Sequence, residues 1–293
     1  MRNISDIIGT LPARVTAMPE NEYRAIPAIS PSTLVKGLRG VTGGEDSDVP
    51  LFDPLAVKLA YENQGGSVTD NMRKGTLAHL FLFEPERVQS DVAIWEGATR
   101  TGKAWQEFEE INAHKLIVRK ADFDEVREGM SEADKCLKEV FADHTFEQAV
   151  TGSWQDVKVK GKPDAYRIGK MAGEQRVYLR DFKTTEVGID DRATDRVTVD
   201  QFYREKMALY RLWHSQATGI DKEAYRVQLV FVQLKPPYGI NVKDISNAAL
   251  DYMEKKMLLL LEQVRKCIAD GFQAVRTNSS IDLMPWEEEV TYV

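Results

Sequence analysis

Two short stretches decide the reading of this chain: Gly161-Lys162-Pro163-Asp164-Ala165-Tyr166 and Leu179-Arg180-Asp181-Phe182-Lys183-Thr184-Thr185. The residues WQDVKVKGKPDAYRI alternate in part between apolar and polar, and VYLRDFKTT follows after a polar GKMAGEQ turn. Together they predict a β-hairpin. Side chains alternate in direction along a strand, so Asp181 and Lys183 share a face. Across the hairpin, Asp164 approaches Asp181 from the neighbouring strand. Two carboxylates with no cation between them repel. A divalent ion with hard oxygen ligands and room for water, Mg²⁺ or Mn²⁺, resolves that repulsion. Such a site activates water and stabilises charge on a phosphate, and a lysine beside it helps neutralise the transition state.

Working outward, YRVQLVFVQL reads as a β-branched strand ended by Lys235-Pro236-Pro237. Helices are expected over 199–215 and 246–269. Upstream, Phe123, Val126, Met130, Ala133, Leu137 and Val140 recur every three or four residues and mark one apolar helix face. MRKGTLAHLFLFEPERV reads as a buried helix ending near Glu84-Pro85, and a helix is expected from about 53 to 62. Ser30 or Ser32 caps a short helix through Leu38, with Pro31 in its first turn. The Gly- and Asp-rich stretch GVTGGEDSDVP and the later NQGGS read as loops. Residues 1–28 show weak periodicity and are expected to form an arm or loosely packed lead-in. The order, helices and then β-β-α-β-α, predicts one α/β domain over 29–293 with an N-terminal helical elaboration.

Composition narrows the class. The 293 residues carry a net charge of −7, with 43% hydrophobic and 29% charged residues, as in a soluble globular chain. An acidic balance does not announce a polyanion binder, but net charge says little about local fields. Between Trp154 and Lys183 eight basic residues, Lys158, Lys160 and Lys162 among them, face four acidic ones. A hairpin with that excess could track a phosphate backbone. Two cysteines, Cys136 and Cys267, lack C-x-x-C spacing. Cysteine-based zinc or iron–sulfur sites are therefore not expected, and a reducing cytoplasm is. The start, MRNISDIIGTLPARV, lacks the pattern of a signal peptide, and no apolar run reaches the ~20 residues of a membrane span.

With G-K-P-D and D-F-K-T-T in view, the chain resembles the PD-(D/E)xK nucleases, whose core is a central mixed sheet flanked by helices. More narrowly it is similar to the RecE-type, exonuclease VIII-like branch of phage and prophage recombination exonucleases. KGTLAHLFLFEPERV resembles that branch's G-T-x-x-H-x-x-x-x-E-P segment, D-x-K-T-T is present through Thr184 and Thr185, and the branch's Y-x-x-Q-x-x-x-Y appears as Tyr203, Lys206 and Tyr210. The resemblance covers roughly residues 29–240. It implies a metal held by His79, Asp164, Asp181 and the backbone carbonyl of Phe182, with Asp164, Asp181 and Lys183 as the catalytic set. It implies DNA contacts from Thr184, Tyr203, Lys206 and Tyr210, with Lys206 standing where glutamine is usual. Glu84 either caps its helix or contacts the site; His114, His144 and His214 read as structural.

The resemblance further implies 5′ to 3′ digestion of the ends of linear double-stranded DNA in a bacterial host cell. The 3′ single-stranded tails would pass to a RecT- or Redβ-like single-strand annealing protein. It implies a homo-oligomeric ring and no membrane attachment. The alternatives are a PD-(D/E)xK endonuclease that cuts internally and a non-catalytic DNA-binding recombination scaffold.

Overall fold

A computed structural model describes residues 2–39, 52–63, 68–97, 99–186 and 188–272; the expected 40–50 loop and nearly all of NQGGS lie outside them. In chain order the strands are β1 (Arg14–Ala17), β2 (Val92–Trp95), β3 (Leu116–Arg119), β4 (Thr145–Phe146), β5 (Gln148–Trp154), β6 (Val157–Gly161), β7 (Ala165–Met171), β8 (Glu174–Thr185), β9 (Tyr225–Gln233) and β10 (Ile240–Ile245). The α-helices are α1 (Glu20–Ala25), α2 (Pro31–Leu34), α3 (Lys36–Arg39), α4 (Pro54–Glu62), α5 (Asp70–Phe83), α6 (Val88–Asp91), α7 (Lys103–Ile111), α8 (Lys120–Val140), α9 (Asp191–Asp200), α10 (Tyr203–Thr218) and α11 (Asn247–Asp270).

The chain folds as a mixed α/β structure. Its main sheet has the order β10-β9-β8-β7-β4. The β8–β9 pair is parallel and the others antiparallel, so the sheet is mixed. Strand β9, inside the sheet between β10 and β8, is apolar on both faces. Val227, Leu229 and Phe231 point to one face with Val177 and Leu179, where Met207 and Ala208 of α10 and Leu250 and Met253 of α11 cover them. Val230 and Val232 point the other way with Ala165 and Phe182, against Leu77 and Ala78 of α5 and the apolar stripe of α8. Period-two strands meeting period-3.6 helices on both faces give three layers. Among the described residues no helix is long and apolar enough to cross a membrane.

The expected hairpin is divided. β7 and β8 do pair, around a tight turn with Ala172 and Gly173 both at positive φ, 52° and 87°. β6, however, does not continue into β7. It pairs with β5 in a separate three-stranded sheet of order β1-β5-β6. The break falls at Lys162-Pro163-Asp164 because Pro163 has no N–H for a ladder and disfavours regular pairing around it. The partner strand breaks beside it: Glu147, at φ 53°, separates β4 in the main sheet from β5 in the small one, and its N–H donates to the Asp164 carbonyl at 3.0 Å.

Three further expectations change. The described part of the lead-in, 2–28, is packed rather than loose: Ile4 and Ile7 are buried in the cluster that joins the small sheet to α10 and α11, and β1 pairs with β5. The single helix expected over 199–215 is two, α9 and α10, broken at Phe202 with φ 54°, whose side chain turns towards that same cluster. Strand β10 was not expected at all; it pairs with β9 along six positions. Elsewhere the bounds lie close to those read: Ser30 caps α2, the helix expected through Leu38 is divided into α2 and α3, α4 starts after Asp53, and α5 ends at Phe83.

Candidate functional site

Both sheet-crossing points, Glu147 and Asp164, release a carboxylate towards the last turns of α5. His79 on that helix reaches between them. Its Nε2 lies 3.1 Å from Asp164 Oδ1 and its Nδ1 lies 3.2 Å from Glu147 Oε1. Edge contacts from Phe83 and Phe182 hold the ring, with centroids 4.6 Å and 6.1 Å away. One potential ligand atom from each of His79, Glu147 and Asp164 falls within 4.8 Å of the other two, a span one cation could bridge.

The second half of the site comes from β8. Lys183 pairs with Asp181 on the same strand face, donates to the Phe182 carbonyl at 2.9 Å, and stands 3.9 Å from Asp164 Oδ2. Its ammonium thus occupies the centre of the Asp181, Phe182 carbonyl and Asp164 set, where a cation is electrostatically required. The Phe182 N–H donates to Asp164 Oδ2 at 2.6 Å. Asp164 and Asp181 are both buried, at 9% and 5% exposure, so their charges are poorly screened.

Burial raises the Asp164 carboxyl, but His79, Lys183 and the Phe182 N–H outweigh it and hold the group well below the usual carboxylate range. Burial and the neighbouring Asp164 push Asp181 up to about 6 despite Lys183. The two acids therefore split, as interacting carboxylates must. Burial disfavours charge on His79 and Lys183, yet Asp164 raises the first and Asp181 the second above their ordinary values. Burial also lifts Glu147.

Helix α10 supplies the third wall. The ring of Tyr203 lies under two ammonium groups, Lys183 at 5.3 Å and Lys206 at 4.8 Å. Tyr210 hydrogen-bonds Ser32, and burial together with Asp181 drives its hydroxyl well above the ordinary tyrosine value. A Cβ at Gly161 would sit 2.8 Å from the Tyr210 ring, so the glycine of G-K-P-D is what lets α10 approach. Thr184 faces α5, 3.5 Å from where a Cβ at Gly75 would be.

The basic stretch does not form one open track. Lys160 is buried and donates to the carbonyls of Tyr23, Arg24 and Ile26, closing the end of α1. Lys162 bridges Glu147 at 2.6 Å and Glu20 at 3.1 Å, and Lys158 donates to the Asp6 carbonyl. Those partners come from the lead-in and the β4–β5 crossing, which local charge counting does not see. Glu84 pairs with Arg87 at the end of α5 rather than joining the cluster. His144 and His214 bond the Ala142 carbonyl and the Tyr225 hydroxyl inside the fold, and His114 is exposed. Glu147, which lies in no motif, was missed; only the pairing of β4 with β7 brings it to Asp164.

No family model matches the chain, and no curated protein matches it. Among solved structures the fold is similar to that of a protein from Eubacterium rectale titled "Putative exonuclease", at a TM-score of 0.54 and 12% identity, over 90% of this chain and 97% of that one. At that identity the likeness is one of fold.

Proposed function

We propose that this chain is a divalent-metal-dependent exodeoxyribonuclease with a PD-(D/E)xK core. The observation that carries the reading is the run of contacts from His79 to Asp164, and from Asp164 through Lys183 to Asp181 and the Phe182 carbonyl, although among the described residues the ligand atoms near enough to share one cation are those of His79, Glu147 and Asp164 without Asp181. The fold shared with the Eubacterium rectale protein supports it. The donor set fits Mg²⁺, with Mn²⁺ as a substitute: buried carboxylates, one imidazole and one carbonyl, with a lysine ammonium already drawn into the anionic centre. When bound, the metal supplies Lewis acidity towards the scissile phosphate.

The chain's own residues do the rest. Asp164 stays ionised and keeps the His79 ring in place through Nε2. Lys183, held charged by Asp181 and Asp164, would orient an attacking water and offset the charge that develops on the phosphate oxygens. Tyr203 limits the freedom of that ammonium from below. Burial of both acids strengthens each of these interactions.

The finer reading follows the RecE-type resemblance: 5′ to 3′ digestion of linear duplex ends, 3′ single-stranded tails passed to a RecT- or Redβ-like annealing protein, and a homo-oligomeric ring. The test uses linear duplex DNA labelled at either end, with Mg²⁺ or with chelator. Metal-dependent release of the 5′ label first, with supercoiled circles left intact, is the expected outcome. Cleavage of the circles would point to an endonuclease, and no digestion under any metal would remove the catalytic reading.

A further inference from the structure

The face of the main sheet covered by α5 and α8 is apolar at Phe182 and Val230. From the next row, where Ala165 stands beside Arg180 and Gln228, the same face turns cationic. Register places Arg167, Tyr178 and Arg226 side by side on β7, β8 and β9, and Arg180 and Gln228 in the next row. The guanidinium carbons of Arg167 and Arg180 lie 4.7 Å and 5.7 Å from the centre of the Tyr178 ring.

Of the three arginines only Arg226 holds a carboxylate among the described residues. Asp244 is taken by Arg226 through two bonds of 2.7 Å and by the Gln228 amide at 2.9 Å. Arg180 reaches only the Gln228 oxygen, at 2.7 Å. Among the described residues neither Arg167 nor Arg180 has an acidic partner. The Nε of Arg167 is buried without a hydrogen bond, and so is Nε2 of His144. The positive groups are felt as a set: burial, Arg167 and Arg226 all disfavour charge on Arg180, and Arg180 and Arg167 do the same to His144.

Arg226 is exposed and paired with Asp244, but the Arg167 and Arg180 charges, half-buried around one ring, are costly unless an anion joins them. Guanidinium forks match the oxygens of phosphate in geometry and charge. With 46 acidic residues in the chain, the lack of a second carboxylate here is not a shortage of supply. We propose that Arg167, Arg180 and Arg226, arranged around Tyr178, form a phosphate-binding site separate from the metal centre, which takes a phosphodiester of the nucleic-acid strand. Arg167 lies three residues past Asp164 on extended chain, about 10 Å at the rise of a strand. Strand alternation puts Arg180 on the sheet face opposite Asp181 and Lys183, so a strand engaged at the metal centre would meet this site by passing round the sheet. The phosphate chemistry stands on the cluster itself; its assignment to a nucleic-acid strand rests on the nuclease reading.

The test compares the full chain with the Arg167→Gln/Arg180→Gln double variant and with Arg180→Lys, which keeps the charge. A fluorescent single-stranded oligonucleotide is bound in chelator, and inorganic phosphate is titrated in parallel by ³¹P line broadening. The double variant is expected to bind the oligonucleotide several-fold more weakly. Its slope of log K against log salt should be shallower by about 0.7 for each lost phosphate contact. Arg180→Lys should keep most of the slope, and phosphate broadening should vanish only in the double variant. Equal affinities, equal slopes and no response to phosphate would overturn the proposal and leave a stacking cluster. A phosphate response with unchanged slopes would assign the site to a free phosphate and overturn the strand assignment. Melting curves of the variants establish that they fold. Digestion by the wild-type chain in Mg²⁺ is scored separately, so loss of the nuclease reading would be told apart from loss of this site.

Discussion

His79 Nδ1 faces Glu147 Oε1 at 3.2 Å, although the two residues come from the end of a helix and from the crossing point between two sheets. Glu147 is itself held by Lys162 and by its own N–H to the Asp164 carbonyl. In a metal-dependent site, His79→Ala should weaken Mn²⁺ binding at least tenfold and Glu147→Gln by less, as measured by calorimetry. A Mn²⁺-soaked crystal should show density about 2.0–2.3 Å from a His79 ring nitrogen. Density held by carboxylates alone, with His79 packed away, would remove the histidine from the ligand set.

Asp164→Ala, Asp181→Ala and Lys183→Ala should each lower the rate of DNA digestion by several orders of magnitude, on the scale of other deletions of groups that act as a unit. Circular dichroism should show the fold retained. Wild-type-like digestion by Asp181→Ala would defeat the assignment.

The raised Asp181 carboxyl makes a pH prediction whose sign is fixed. Burial and Asp164 place it at about 6, so below that pH a cation must displace a proton. Metal affinity should therefore rise as pH is raised through 6, by up to about tenfold per unit for one proton, and keep rising while His79, also shifted upward, loses its own. In the metal-free chain the stability that Asp181 contributes runs the other way: it is present at low pH and lost as pH rises through about 6. Titrations in two buffers of different ionisation enthalpy would report the released protons; a flat affinity from pH 5 to 7 contradicts the coupling.

Lys206 lies 4.8 Å from the Tyr203 ring that also carries Lys183, on the face of α10 nearest the acids. Lys206→Gln should flatten the salt dependence of duplex-end binding in Ca²⁺ by about 0.9 in log–log slope, the value of one phosphate contact on duplex DNA. Its effect on the rate of chemistry should be far smaller than that of the ligand substitutions. Identical slopes would place Lys206 outside the interface.

Gly161→Ala introduces a Cβ 2.8 Å from the Tyr210 ring. The ring or α10 must shift, which should cost about 1–3 kcal/mol by denaturant unfolding, as overpacking does. A variant as stable as wild type would mean that α10 yields freely, and the role of Gly161 as a spacer would fall.

Period-two and period-3.6 patterns made β8, β9, α5, α8 and α11 legible from the residues alone, because each buries a regular apolar face. The shared strand face of Asp181 and Lys183 followed from alternation in the same way, and the turn before Glu174 from the polar stretch GKMAGEQ. What spacing could not carry was where a strand changes sheet. Pro163 ends one ladder and begins another, so β6 left the expected hairpin for a partner, β5, that local pattern did not mark. Glu147 came to His79 only through that exchange, and Lys160 and Lys162 were withdrawn from the surface by carbonyls and carboxylates of the lead-in. Residue type and periodicity determine which side chains can bind a cation or bury a face; which of them meet is decided by long-range strand pairing, whose partners are distant in sequence and leave no local signature.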